Sequence, residues 1–153
     1  MKAKDYNGTI KTFSKVPNNY NGIINFSSLS DSELEGHGFY DVVIPSYDER
    51  IQQLGSIQWD SANNQFTYSV SNRTWTETLA ELKTEKIKLA KQIAKLELNE
   101  TDWYISRESE LGTAIPSDIT TKRAAVRTAC NNHETSINSK TTKAQVQSYD
   151  ITY

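Results

Sequence analysis

The chain has 153 residues and a formal net charge of −2, and only 36% of its residues are hydrophobic. That fraction is below the roughly 45–50% of a typical soluble domain, so we expect a modest core. The near-neutral charge excludes strong bulk attraction to nucleic acid or to an anionic membrane. The single cysteine, Cys130, excludes an intrachain disulfide.

Neutral polar residues take the place of the missing apolar ones, with 16 Ser, 16 Thr and 12 Asn. We therefore expect part of the stability to come from a partner or from self-association. The N-terminal stretch "MKAKDYNGTI" lacks the apolar segment of a secretory signal, and no apolar run approaches the length of a membrane span. These features predict a soluble protein that is made in a cytoplasm.

The first half of the chain, residues 1–75, has the pattern of β-structure with tight turns. The Asn-Gly pairs in "YNGT" and "NNYNG" favour type I′ turns. The stretch "GFYDVVIP" predicts a short strand that stops at Pro45. Between them, "LSDSELEG" predicts one short helical turn that starts with a capping box of Ser30 and Glu33 and ends at Gly36.

The stretch "SIQWDSANNQFTYSVSN" is the strongest hairpin signal in the chain. Apolar side chains alternate along both arms, and these are Ile57 and Trp59 on the first arm and Phe66, Tyr68 and Val70 on the second. Residues 60–64 supply the turn-rich connection. Such a hairpin could extend the exposed sheet edge of a partner, so Trp59 and Tyr68 are candidate partner contacts.

The second half, residues 76–153, is predicted to be helical. A helix from Thr76 to Leu98 carries an apolar seam with steps of four and three, with Lys86 at the one missing position. The seam consists of Trp75, Leu79, Leu82, Leu89, Ile93 and Leu96. Three heptads are marginally stable alone, so the seam needs a second copy, another protein or the next helix. Self-association would use Leu79, Leu82, Leu89, Ile93 and Leu96.

A second long helix is predicted from about Asp118 to Thr135, with Pro116 before it and Ser117 as its N-cap. One of its faces carries Ile119, Val126, Ala129 or Cys130, His133 and Ile137. The stretch "TTKAQVQSYD" predicts a last short helix capped by Thr141 or Thr142. Together the two halves predict an α+β protein with a β-rich domain at 1–75 and a helical domain at 76–153.

Catalytic and metal-binding signatures are weak throughout. The acidic residues and histidine of "DSELEGH" (31–37) are better explained as a solvated turn, because a helix there splays them apart. Cys130 and His133 are three apart on a helix, which favours packing over a catalytic pair. No nucleophile elbow, phosphate loop or glycine fingerprint is present. We therefore expect no enzyme activity, no cofactor and no metal.

Nucleic-acid binding has one candidate stretch, "TTKRAAVR". Its three basic residues, Lys122, Arg123 and Arg127, lie close together on one predicted helix. Three charges would make only a weak contact with phosphates. We expect no nucleic-acid partner, and a small nucleic-acid-binding regulator remains the second alternative.

Three ordered motifs extend beyond composition. They are "L-x-L-x-E-T-D-W" at 96–103, "R-E-S-E-L-G-T-A-I-P" at 107–116 and "R-A-A-V-R-T-A" at 123–129. Together they resemble the C-terminal segment of bacteriophage tail assembly chaperones and related small tail-fibre proteins, over about residues 76–137. Residues 47–75 are more weakly similar to the strand-rich segment that precedes the helices in many phage tail-fibre-associated proteins.

The resemblance implies a helix that ends at a T-D-W turn, a short Pro-containing connection and a second, basic helix. Thr101, Asp102, Gly112 and Pro116 would then form a structural corner. Trp103 would pack inward over the seam, while Arg123 and Arg127 would project toward Glu108, Glu110 or a partner's carboxylates. Alternatively, Trp103, Tyr104 and an arginine would anchor a partner.

The function implied by the resemblance is binding rather than catalysis. Such a chaperone covers apolar or strand-edge surface on a tail-fibre or tail subunit until that subunit trimerises or docks. It would act in the host cytoplasm during assembly, or be retained in the virion tail. The closest alternative is a permanent structural part of the virion tail, such as a fibre-attachment or baseplate accessory protein.

Overall fold

A computed structural model describes all residues, 1–153, and divides into two compact units, Met1–Arg73 and Thr74–Tyr153. The first unit contains every strand and one short helix, and the second contains only helices and their connections. The predicted α+β class is confirmed. The units divide between Arg73 and Thr74, whereas the sequence patterns placed the change between residues 75 and 76. None of the helices is both long and apolar enough to cross a membrane.

A five-stranded mixed sheet forms most of the first unit. The strands of the chain are β1 (Lys2–Tyr6), β2 (Thr9–Phe13), β3 (Asn19–Tyr20), β4 (Ile23–Ile24), β5 (Tyr40–Val43), β6 (Gln52–Asp60) and β7 (Gln65–Asn72). The sheet order is β2-β1-β5-β7-β6, and only the β5–β7 pair is parallel. β3 and β4 form a separate small hairpin. β2 and β6 are therefore the two edges of the sheet.

The predicted Asn-Gly turns are confirmed in their backbone angles. Asn7 and Gly8 have φ values of 55° and 90°, and Asn21 and Gly22 have 48° and 84°. A type I′ turn requires positive φ at both central residues, and asparagine and glycine tolerate it best. These turns connect β1 to β2 and β3 to β4.

The predicted β6–β7 hairpin is also confirmed. Ile57 pairs with Tyr68 and Trp59 pairs with Phe66, so the alternating side chains of the two arms face each other. Asp60 holds the connection, because its carboxylate accepts hydrogen bonds from the Ala62 amide at 3.1 Å and from the Asn63 side chain at 2.8 Å.

The core of the first unit is a small aromatic cluster. Helix α1 (Asp31–Gly36) begins at the predicted capping box and contributes Leu34, which packs with Phe26 and Phe39. The Phe26 and Phe39 ring centroids are 5.2 Å apart. Phe26 starts a single 3-10 turn, Phe26–Ser28. Edge-to-face contacts of this kind add specificity to the burial of the rings.

The second unit contains α2 (Leu79–Asn99), α3 (Asp102–Leu111), α4 (Ser117–Ser139) and α5 (Lys143–Gln147). α2 begins three residues later than predicted because Thr78 and Glu81 form a capping box. The Thr78 amide donates to the Glu81 carboxylate at 2.8 Å. Ser117 is the first helical residue of α4, and Pro116 occupies its N-cap. The predicted last helix is confirmed as α5, with Thr142 as its cap.

The apolar seam of α2 closes only in part within the chain. Leu82 packs with Ile137 of α4 and Val146 of α5, and Ala90 and Ala94 are buried as well. Of the remaining predicted seam positions, Trp75, Leu79 and Ile93 are half-buried, and Leu89 and Leu96 are exposed. The buried residues Leu82, Ala90 and Ala94 are separated by multiples of four positions, so the buried face of α2 departs from the predicted heptad positions.

Two lysines of α2, Lys83 and Lys86, lie beside the interface with α4 and α5 because their ammonium groups bond to carbonyl groups there. Lys83 donates to the Asn138 carbonyl at 2.7 Å, and Lys86 donates to the Gln147 carbonyl at 3.2 Å. These carbonyls lie at the C-terminal ends of α4 and α5, where intrahelical donors are missing and the helix dipole favours a cation. Lys86 is therefore a capping group at the place where the predicted seam lacks an apolar side chain.

Candidate partner-binding site

The corner between α2 and α3 is stabilised by hydrogen bonds from Arg123 of α4. Its side chain is only 7% exposed. One guanidinium nitrogen donates to the Leu98 carbonyl at 2.8 Å and to the Thr101 hydroxyl at 2.6 Å. The other donates to the Asp102 carboxylate at 2.9 Å. Arg123 thus caps the C-terminal end of α2 and ties the first residue of α3 to α4.

The prediction that Arg123 projects toward Glu108 or Glu110 is therefore wrong. The end of α2 leaves carbonyl groups without intrahelical donors, and a buried site there must be supplied with hydrogen bonds. Arginine fits because its planar guanidinium presents several donors in fixed directions. Arg123 is consequently a positioning residue of the corner, and its charge is not available to a partner.

The predicted corner residues lie where the chain turns. Thr101 is buried, and its hydroxyl donates to the Leu98 carbonyl at 3.0 Å rather than capping α3. Asp102 is the first residue of α3, where a carboxylate interacts favourably with the helix dipole. Gly112 ends α3 with a φ of 66°, which glycine adopts easily. Pro116 then directly precedes α4.

The segment after the corner is a helix, α3, where a connection was expected. None of the ten residues of α3 is buried. Trp103 is 52% exposed, so the prediction that it packs inward over the seam is wrong. Its ring stacks on Tyr104 instead, with centroids 3.8 Å apart, and the Arg107 guanidinium lies 4.9 Å from the Trp103 ring centroid.

Four exposed or half-buried side chains of α3 form a continuous face. Trp103, Arg107 and Leu111 are spaced by four residues, so they lie one above the other on one side of the helix. Leu111 is 73% exposed, and Tyr104 extends the face beside Trp103. We call Trp103, Tyr104, Arg107 and Leu111 the aromatic stripe. Ile105 is also exposed, but it lies about 200° around the helix from Trp103 and outside the stripe.

The other predicted basic residues differ in their availability. Lys122 forms a salt bridge with Glu100 at 3.3 Å. Arg127 is exposed and has no carboxylate partner in the chain. Since Arg123 is buried, the stretch "TTKRAAVR" presents one unpaired cation rather than three. That arrangement weakens the case for a phosphate-binding surface on this helix.

The candidate residues of the sheet have a different setting. Trp59 lies on edge strand β6 and is partly exposed, with ring contacts to Tyr40 at 4.6 Å and to Phe66 at 5.0 Å. Tyr68 is half-buried on β7 opposite Ile57. Trp59 is thus reachable by a partner that adds to the edge of the sheet, whereas Tyr68 lies on an inner strand.

The C-terminal end of α4 is packed against the chain terminus. His133 is buried, and its ring nitrogens lie 2.9 Å from the Tyr149 hydroxyl and 2.7 Å from the Thr152 carbonyl. The Tyr153 hydroxyl donates to the Ala90 carbonyl at 2.7 Å, and burial, together with Cys130 beside it, raises the pKa of Tyr153. The hydrogen bonds of His133 thus go to the chain terminus, in keeping with a packing role.

No group of three or more His, Cys, Asp or Glu side chains could hold a metal ion.

Comparison with protein families, with curated proteins and with solved structures finds no match to this chain. The assignment of a function therefore depends on the geometry of the site and on the motif resemblance. The sequence patterns indicated Trp103 and Tyr104 as candidate anchors but placed Trp103 inward, and they did not single out Arg107 or Leu111. They missed α3 itself, although Asp102 at its start and Gly112 at its end are helix start and stop signals.

Proposed function

We propose that this chain is a non-enzymatic binding protein that covers an apolar surface on a phage tail-fibre or other tail subunit during assembly. The observation that carries the binding role is α3, a ten-residue helix with no buried residue and a continuous aromatic stripe. A helix this short is not stable in water by its own propensity. It gains its stability from the corner at its N-terminal end and leaves its side chains free for a partner.

The composition of the aromatic stripe supports protein binding. Tryptophan, tyrosine and arginine are the residues most enriched among those that dominate binding energy at interfaces. The stacking of Trp103 on Tyr104, with Arg107 beside both rings at 4.9 and 5.2 Å, holds the three side chains in one arrangement before a partner arrives. Such preorganisation lowers the entropic cost of binding.

The chemistry of the stripe also indicates the partner surface. Trp103 and Leu111 need an apolar recess, and Arg107 favours a carboxylate at the rim of that recess. The stripe runs along one side of a helix, so it suits a groove that accepts i, i+4 and i+8 anchors. An apolar groove left open on an unassembled subunit has this character.

The phage tail assignment rests on the resemblance of the three motifs between residues 96 and 129. Those motifs include the end of α2, both ends of α3 and part of the first half of α4. The proposed binding helix therefore lies inside the segment that resembles the chaperone family. The exposed Leu89 and Leu96 are the seam positions open to self-association.

Quantitative mass spectrometry of purified virions and of the infected-cell lysate tests the proposal. We expect the chain to be abundant in the lysate, to co-purify with one tail subunit and to be substoichiometric in the particle. Stoichiometric copies in the particle would replace the chaperone role with that of a permanent tail component. No tail protein co-purifying from either sample would overturn the phage assignment.

A further inference from the structure

A second surface of the helical unit lies between α2 and α4. It is an open groove of about 480 Å³, and we call it the α2–α4 groove. Ala94, Leu98 and Cys130 contribute apolar atoms to it. The charged side chains that line it are Lys91, Lys95, Asp102, Arg123 and Arg127. The groove therefore combines an apolar lining with an excess of positive charge.

Two of these cations have no counter-charge within the chain. Asp102 is already bonded to Arg123 at 2.9 Å, and Lys91 is bonded to Glu134 at 3.0 Å. Lys95 on α2 and Arg127 on α4 are both exposed and form no salt bridge. They approach the groove from two different helices. In a chain whose net charge is −2, this is a local site for negative charge.

The lining favours a peptide over a nucleic acid. No aromatic side chain lines the groove, so nucleotide bases would find no stacking platform. Two unpaired cations are too few for phosphate contacts to hold a strand on their own. The apolar lining, in contrast, gains free energy by covering an apolar side chain. The volume is within the range of pockets that accept small ligands or a few side chains.

We propose that the α2–α4 groove binds an acidic peptide segment of a partner protein, in which an apolar side chain is flanked by Asp or Glu. The apolar side chain covers Ala94, Leu98 and Cys130, while the flanking carboxylates pair with Lys95 and Arg127. This inference rests on the proposed function only in taking the occupant to be a protein. It names a second contact, chemically distinct from the aromatic stripe.

Cys130 provides a direct reporter, because it is the only cysteine and it lines the groove. The probe is a fluorescent eight-residue peptide with one Leu flanked by Glu on both sides, and its control carries Gln in place of every Glu. We expect saturating Glu peptide to slow alkylation of Cys130 in the full chain at least fivefold. The dissociation constant from fluorescence anisotropy should rise with salt.

The matched variants keep the total charge change equal. Lys95→Gln with Arg127→Gln should raise the dissociation constant of the Glu peptide at least tenfold. Lys11→Gln with Lys15→Gln, two exposed lysines of the sheet unit, should leave it unchanged. Thermal melting of both double variants verifies that each is folded as the parent chain is.

Four results would overturn the inference. They are equal binding of the Gln peptide, equal loss in both double variants, stronger protection of Cys130 by a single-stranded oligonucleotide than by the peptide, and concentration-dependent protection without any peptide. The third would indicate a nucleic acid and the fourth a second copy of the chain. Trp103→Ala separates this inference from the proposed function, because it should leave the peptide bound. If the parent chain binds a tail subunit but not the Glu peptide, the groove inference fails and the proposed function stands.

Discussion

The two ends of α4 support their neighbours in different ways. At its C-terminal end, Ile137 is fully buried with Val146 of α5, and His133 is tied to the chain terminus by two hydrogen bonds. At its N-terminal end, Arg123 holds the start of α3 through polar contacts, and α3 buries nothing. The C-terminal end is held by apolar packing and by the hydrogen bonds of His133, whereas α3 is attached at the N-terminal end through the polar contacts of Arg123.

This difference separates stability from recognition. α5 has only five residues, yet its Val146 is fully buried, so it belongs to the core. α3 is twice as long and exposes Trp103, the largest side chain near the corner. A large apolar surface that does not stabilise the fold is a feature of interaction sites. Four substitutions, in order of decreasing effect on stability, test this division.

Ile137→Ala should have the largest effect, because it opens a cavity beside Leu82 and Val146. We expect a loss of about 2–5 kcal/mol in the free energy of unfolding. Chemical denaturation monitored by circular dichroism measures it. Leu111→Ala, at an exposed position of α3, is the control and should change stability by less than about 0.5 kcal/mol. Similar losses in the two variants would show that α3 contributes to stability as much as the C-terminal end of α4 does, which would contradict the comparison.

Arg123→Met should follow, with a loss of about 2 kcal/mol, because it leaves the Leu98 carbonyl and the Thr101 hydroxyl without their donor. Backbone amides of α3 should also exchange faster with deuterium, since the helix loses its fastening. Arg127→Met removes the same charge four residues later and should leave both stability and exchange unchanged. Slower or unaltered exchange in α3 after loss of Arg123 would contradict its role at the corner.

Thr78→Ala removes the capping box of α2 and should lower the free energy of unfolding by about 1 kcal/mol, which chemical denaturation measures.

The same capping box makes stability depend on pH. A backbone hydrogen bond from Thr78, assisted by its hydroxyl, lowers the pKa of Glu81 below its ordinary value of 4.5. Glu81 ionisation therefore stabilises the fold above that ordinary value, and this contribution is lost as the pH falls through the lower, folded-state pKa. Urea melts across this range should show a shallower acid decline for Glu81→Gln than for the parent chain. Identical declines would exclude the contribution.

Trp103→Ala should have the smallest effect on stability, less than about 0.5 kcal/mol, although it removes the largest side chain of the four. The ring contacts Tyr104 and Arg107 on its own helix and the residue is 52% exposed, so its removal should open no buried cavity. Thermal and chemical denaturation measure the change. A decrease of about 3 kcal/mol in the free energy of unfolding, as expected for a buried tryptophan, would show that Trp103 belongs to the core and not to the binding surface.

Features decided by neighbouring residues could be predicted from the sequence. The Asn7–Gly8 turn, the Ser30–Glu33 capping box and the pairing of Trp59 with Phe66 all depend on local chemistry and period-two alternation. In each case the residue types themselves determine the local backbone geometry. The same applies to α2, whose start differs by three residues only because Thr78 and Glu81 form the stronger cap.

The candidate site was less predictable because it depends on contacts between distant residues. Arg123 meets the Leu98 carbonyl across 25 positions of sequence, and nothing in its neighbours indicates that it is buried. Trp103 was expected to cover the seam because it follows the corner directly, yet it is 52% exposed. α3 has no apolar period directed at a core, so its pattern resembled a connection.

The most direct test of the binding role uses the tail subunit that the proposed function expects to co-purify with this chain. Isothermal titration calorimetry measures its affinity for the parent chain, for Trp103→Ala and Arg107→Ala on the aromatic stripe, and for Ile105→Ala on the other side of α3. The binding role predicts at least tenfold weaker binding for the two stripe variants, unchanged melting temperatures and near-parental affinity for Ile105→Ala. Unchanged affinity for Trp103→Ala, or equal losses on both sides of α3, would contradict it.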